Sequence, residues 1–162
     1  MTMTELSRSR ISAGILLFRR TGNGVQVLLG HPGGPYFEDK DIGAWSIPKG
    51  QAEDGEALMA VAVREFGEET GHSVGSNARL IELGSIRQRG GKTVHAWALE
   101  GDMDPAEAWS NTFRMEWPPR SGIFIEVPEL DQVAWFTPEQ ARIAMNPAQY
   151  ELVETLLARL DT

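Results

Sequence analysis

One short stretch constrains this chain more than any other. It holds Gly50, Glu56 and the run Arg64-Glu65-Phe66-Gly67-Glu68-Glu69-Thr70-Gly71, just after a Pro48-Lys49-Gly50 turn. At helical spacing Glu65, Glu68 and Glu69 share one face. Two carboxylates about 5 Å apart repel by roughly 3 kcal/mol at an effective dielectric near ~20. A fold that keeps three of them together needs cations among them, and carboxylate oxygens suit Mg²⁺, Mn²⁺ or Ca²⁺.

Leu58, Val61 and Ala62 form an apolar stripe, and Glu65, Glu68 and Glu69 continue it along the same side. A solvated charged face would lie opposite such a stripe instead. Met59, Val63 and Phe66 form a neighbouring apolar strip expected to pack on a sheet. Arg64 precedes Glu68 by one turn and is placed to hold the carboxylates by charge-assisted hydrogen bonds. An isolated E-x-x-E-E would equally suit an exposed helix end with one ion pair, so the wider pattern matters.

That pattern, Gly-x5-Glu-x7-Arg-Glu-U-x-Glu-Glu-x-Gly-U with U a bulky aliphatic residue, resembles the Nudix box. Gly50, Glu56, Arg64, Glu65, Glu68, Glu69 and Gly71 all stand at its fixed positions. The departures are Phe66 and His72, an aromatic and a polar ring where the box has aliphatic residues. The resemblance implies an α/β (α+β) chain with a Nudix-type α/β/α sandwich around a mixed sheet. It also implies hydrolysis of a nucleoside diphosphate linked to another group, X, by water attack on phosphorus, with Mg²⁺ (or Mn²⁺) as cofactor.

By the family pattern Glu65, Glu68 and Glu69 are expected as metal ligands, with the Gly50 carbonyl as a further one. Arg64 would orient carboxylates, and Glu56 would support it. The general base is expected from Glu65 or from a later loop, where Glu116 is the leading choice and Glu100 and Glu126 are poorer ones. Lys49 is a phosphate contact or an exposed turn lysine. Trp117, with Trp109 and Phe113 in the same segment, is a candidate for stacking on a base. Arg120 is a candidate for a distal phosphate. His31, His72 and His95 lack ligand spacing and receive no role.

Trp45-Ser46-Ile47-Pro48-Lys49-Gly50 resembles the entry to the box in dinucleoside polyphosphate hydrolases. A tyrosine that such enzymes often carry past the box is absent from Arg87-Gln88-Arg89, as is the proline expected of ADP-ribose pyrophosphatases. The expected substrate is therefore a nucleoside triphosphate or a dinucleoside polyphosphate. The alternatives are a nucleotide-binding sensor on the same fold and a structural domain with a Ca²⁺-stabilised helix end.

Composition bounds the remaining possibilities. The 162 residues suit one domain, 1–162, with residues 1–9 a polar, flexible end. A net charge of −8 argues against a binder of nucleic-acid polymers, which needs a basic surface. It leaves room for a small anion, because bound cations invert local charge. Without cysteine there is no disulfide or thiolate site. No apolar run approaches the ~20 residues of a membrane span, so the expectation is a cytoplasmic protein, monomer or homodimer.

Along the chain, residues 11–19 and 25–29 predict strands joined by a Thr21-Gly22-Asn23-Gly24 hairpin, and residues 31–43 a loop. Asp54 is expected to cap a helix that ends at Gly71. Residues 79–87 and 93–99 predict a second hairpin around Gly90-Gly91. Residues 101–122 read as a long loop, of the kind that carries function. Strands at 123–127 and 133–136 follow, then a helix opened by Thr137-Pro138, a break at Asn146-Pro147 and an amphipathic helix over 148–160.

Overall fold

The computed structural model describes residues 10–161, so the polar end expected at 1–9 lies outside the described residues. Strand β1 (Ile11–Thr21) is the organising element. Its segment 13–18 is uninterruptedly apolar apart from Gly14 and is fully buried. Such a run suits a strand covered on both faces. On one face Ala13, Ile15 and Leu17 meet Val61, Ala62 and Phe66 of helix α1 (Leu58–Thr70). On the other, Leu16 and Phe18 join Trp45, Ile47 and the Leu152, Val153 and Leu156 side chains of helix α3 (Tyr150–Leu160). Helix α2 (Pro138–Ala144) lies on that second side and contributes Ala141 and Ala144 to its core. The layers are helix, mixed sheet, helix, as expected.

β1 pairs antiparallel with β2 (Gly24–Pro32) through the expected tight turn, and parallel with β5 (Thr93–Glu100). The short β3 (Lys49–Gln51) also pairs antiparallel with β1, with Gly14 opposite Lys49 and Ala13 opposite Gly50. Gly14 is required there, because a Cβ would collide with the Pro48 carbonyl. Strand β4 (Ile81–Arg87) closes one edge against β5, and β8 (Leu130–Phe136) the other against β2.

Several expectations need correction. His31 and Pro32 end β2 instead of opening a loop. Residues 101–122 are not one loop. They contain a 3₁₀ turn, Pro105–Glu107, capped by Asp104, and strand β6 (Thr112–Glu116). β6 pairs with β7 (Phe124–Pro128) as a separate two-stranded ribbon. With one partner and one face to solvent, β6 carries alternation without an apolar run, and Trp117-Pro118-Pro119 hides its end.

Asp54 does not cap α1. The cap position is Ala57, without a side-chain bond, and the approach is held by Glu56, whose Oε1 accepts from the Glu53 amide at 3.1 Å. The helix is also turned from the expected orientation. Val61, Ala62 and Phe66 are buried, Val63 is half-buried, and Met59 is 47% exposed. The exit matches expectation: Gly71 takes a left-handed φ of 76° and its amide donates to the Gly67 carbonyl. Phe66 and His72, the two departures from the box, meet edge to face at 6.2 Å.

Candidate active site

The β3 strand runs past α1 so that bare Gly50 faces Glu65. A Cβ at residue 50 would overlap the Glu65 carboxylate, so any other residue there would displace that side chain from its present position. Arg64 then gathers the surrounding acids. It donates to both Glu56 oxygens, at 3.0 and 3.3 Å, and to Glu65 at 2.8 Å. Its contact with Glu68 is longer, 3.5 Å. Arg64 fixes the Glu65 rotamer, and Glu56 fixes Arg64. Hydrogen bonding from Arg64 holds the Glu56 carboxyl below its ordinary range.

Glu69 is 5% exposed. Burial, then a hydrogen bond with Glu65 and the nearby charges of Glu65 and Glu129, push its carboxyl up to about 9. Lys49 faces the same group of acids. Burial and then the charge of Lys92 push its ammonium down to about 8, against the attraction of Glu69, Glu129 and Glu65. These residues line a cavity of about 660 Å³, whose walls also include Ser12, Glu53 and Asp54. The Ser12 hydroxyl is buried without a hydrogen-bond partner.

Ser12, Lys92 and Glu129 are among the wall residues that were not anticipated. Glu129 joins β7 to β8 without any motif around it. The carbonyls at the end of α1 need donors. Thr70 receives the Trp109 amide and Glu68 the Asn111 amide, and the Asn111 carbonyl in turn holds the Glu129 amide. That chain of backbone bonds delivers Glu129 to the carboxylates. Burial and then Glu65 raise its carboxyl above the ordinary value. The need for donors at the helix end is legible in sequence; the segment that supplies them is not.

Other anticipated residues lie elsewhere. Glu68 is half-exposed and turned to Arg64. Glu116 accepts from the Arg120 and Gly122 amides and so closes the turn of the β6–β7 ribbon. Trp117 packs edge to face on Tyr36 at 5.1 Å, and Arg120, with φ 61°, is exposed on the same turn. None of Glu116, Trp117 and Arg120 lines the cavity. Glu100 pairs with Arg20, and Glu126 accepts from Thr112. Trp45 and Trp97 are core residues, and Trp109 is 68% exposed.

Among the described residues no group of three or more His, Asp or Glu is close enough to hold one ion. The donor chemistry still fits a hard cation. Glu65 and Glu69 supply only oxygen, and the buried Glu69 lacks a full counter-charge. Glu68 would complete the set by leaving its long contact with Arg64.

A model of the NUDIX domain matches residues 8–156. The chain belongs to the NUDIX domain family. The Nudix fold is equally clear in solved structures. An Ap4A hydrolase of C. elegans in a binary complex superimposes with a TM-score of 0.65 over 93% of this chain and 98% of that one, at 19% identity. A mutT/nudix family protein from Listeria innocua gives 0.59 over 93% of each, at 17% identity. A curated relative, the 8-oxo-(d)GTP phosphatase of Mycolicibacterium smegmatis (strain ATCC 700084 / mc(2)155), is 33% identical over 113 residues. That match spans 63% of this Nudix chain and 34% of the relative, about a third of its length. The matched family is the one that the box resembles. No helix among the described residues is long and apolar enough to cross a membrane.

Proposed function

We propose that this protein is a divalent-metal-dependent pyrophosphohydrolase that cleaves a phosphoanhydride bond in a nucleoside diphosphate linked to X, with a nucleoside triphosphate or dinucleoside polyphosphate as substrate. The observation that carries the reading is the Glu65–Glu69 carboxyl pair, with Glu65 against Gly50, lining one cavity together with Lys49 and Lys92. The activities that name the two relatives, on 8-oxo-(d)GTP and Ap4A, belong to these two substrate classes.

Glu65 and Glu69, joined by Glu68 and the Gly50 carbonyl, would hold Mg²⁺ or Mn²⁺, which supplies charge neutralisation of the phosphates and lowers the pKa of water. Lys49 and Lys92, which line the same cavity, bind phosphate oxygens. Arg64 keeps Glu65 oriented and supplies positive charge behind it. Water adds to phosphorus, the bridging P–O bond breaks, and its electron pair leaves with the departing phosphate. A carboxylate takes the proton from water. We assign that role to Glu129, which lines the cavity, in place of Glu116, which closes a turn outside it. The single domain, the cytoplasmic location and the monomeric or dimeric state belong to the same proposal.

The test is a screen of nucleoside triphosphates, dinucleoside polyphosphates, ADP-ribose and nucleotide sugars with Mg²⁺ or Mn²⁺, read by product chromatography. One class should turn over, and chelation or Glu69→Gln should abolish it. Glu129→Gln should lower kcat by about 10²–10⁴-fold, the usual weight of a general base, while Glu116→Gln stays near wild type. The opposite order would return the base to the ribbon. Nucleotide binding without turnover would leave the sensor reading instead.

A further inference from the structure

The carboxamide of Gln149 is a polar group in the core that the chemistry above does not use. Gln149 closes the 3₁₀ turn Pro147–Gln149 ahead of α3 and is 1% exposed. A buried amide left unpaired is costly, yet this one is fully engaged. Its Oε1 accepts from the Ile47 amide at 3.0 Å. Its Nε2 donates to the Ser46 hydroxyl and to Gln88 Oε1, each at 2.9 Å.

The two branches lead to the two walls of the cavity. Ser46 exchanges backbone bonds with Gly30, and the Pro48 carbonyl accepts from Ile15. Between them, the Ile47 amide donates to Gln149, its one partner among the described residues, and Lys49 and Gly50 follow directly. On the other branch, the Gln88 amide donates to the Lys92 carbonyl and the Gln88 carbonyl accepts from Gly91. Gln88 is therefore the base of the turn that presents Lys92. The supports of Lys49 and Lys92 meet at one side chain, whose hydrogen bonds go to Ile47, Ser46 and Gln88.

Resting on the hydrolase reading above, we infer that Gln149 is a positioning residue: it sets the spacing between Lys49 and Lys92, and through it the fit of a polyphosphate chain. Removal of the carboxamide frees the Ile47 amide ahead of Lys49 and the base of the Lys92 turn, while Gly50 stays paired with Ala13 of β1. The affected quantity is phosphate binding, and the carboxylates, anchored on α1 by Arg64, keep their geometry.

The experiment measures binding of inorganic tripolyphosphate with Mg²⁺ by calorimetry, alongside KM and kcat on whichever substrate the screen identifies. The full-length variants are Gln149→Leu, Lys92→Ala, the two combined, and Leu157→Ala. The last loosens α3 at its half-buried edge and reports what lost stability alone does. Gln149→Leu and Lys92→Ala should each weaken tripolyphosphate binding by about tenfold, and the combination should stay within about threefold of the weaker single variant, because coupled residues are not additive. KM should rise in parallel with little change in kcat, and Leu157→Ala should lower the melting temperature without changing affinity. Wild-type affinity and KM in Gln149→Leu would overturn the inference, as would losses that multiply to about a hundredfold. Should Gln149→Leu fail to fold, Gln88→Leu cuts the Lys92 branch alone: the same loss of affinity supports the inference, and unchanged affinity overturns it. Wild type that binds tripolyphosphate but turns nothing over would sink the hydrolase proposal alone, and the affinities still decide the role of Gln149. Wild type that binds no tripolyphosphate would overturn both.

Discussion

At the scale of single residues, Glu69 concentrates the site's electrostatics. Its carboxyl is buried beside Glu65, so in the absence of metal it holds its proton up to about 9. A cation that takes the carboxylate must displace that proton. Mg²⁺ affinity should therefore rise as pH goes from 7 to 9, with proton release on binding, measured by calorimetry in buffers of different ionisation enthalpy. Glu69→Gln should remove both the pH slope and the released proton; retention of either would move the ligand role to another group. The sign for stability is the reverse. Between its ordinary value and about 9 the folded state holds a proton that the unfolded chain has lost, so the metal-free protein loses stability as pH rises across that window. Gly50 belongs to this scale too, since a Cβ there would push the Glu65 carboxylate from its present position.

At the scale of elements, the helices differ in how they begin. α1 starts without a side-chain cap and depends on packing and on the Glu56–Arg64 pair. α2 starts with a full capping box: Thr137 Oγ1 accepts from the Gln140 amide at 3.2 Å, and Gln140 Oε1 accepts from the Thr137 amide at 2.9 Å. Thr137→Ala should cost about 1 kcal/mol, or a melting temperature lower by about 2–4 °C for a chain of this size, with kinetics unchanged. A shift below measurement error would mean that packing alone starts the helix. The helix start at Thr137-Pro138-Glu139 was legible because its cap is local in sequence, and the return bond from Gln140 came only with the structure. β6 was not, because Thr112–Glu116 becomes a strand only by pairing with Phe124–Pro128.

At the scale of the whole molecule, His31 ties the end of β2 to two distant segments. Its Nδ1 lies 2.8 Å from Asp131 on β8 and its Nε2 lies 2.7 Å from the Lys40 carbonyl in the loop that follows β2. Both partners are acceptors, so the doubly protonated ring satisfies both. Burial opposes the charge, but the Lys40 carbonyl and then Asp131 and Asp41 outweigh it and raise the pKa above its ordinary value. The stability from this clamp is thus fully present below about 6.5 and is lost as pH rises through the higher folded value. The melting-temperature gap between wild type and His31→Asn should shrink from pH 6 to pH 9, and a constant gap would show that the ring acts only by packing.

The sequence by itself determined one wall of the site and the frame that carries it. The acid-rich α1 helix, its glycine exit, the Pro48-Lys49-Gly50 corner and the doubly covered β1 strand all follow from residues within a few positions of one another. Spacing and backbone sterics act at that range. Tertiary structure alone decided the other wall. Lys92 stands on the hairpin marked by Gly90-Gly91, but nothing local says which site that turn reaches; Glu129 comes from a strand junction without a pattern of its own, and Gln149 reaches Ile47 across 102 positions of sequence. Those placements depend on which backbone donors remain unsatisfied once the sheet has formed, and that is a property of the packed molecule.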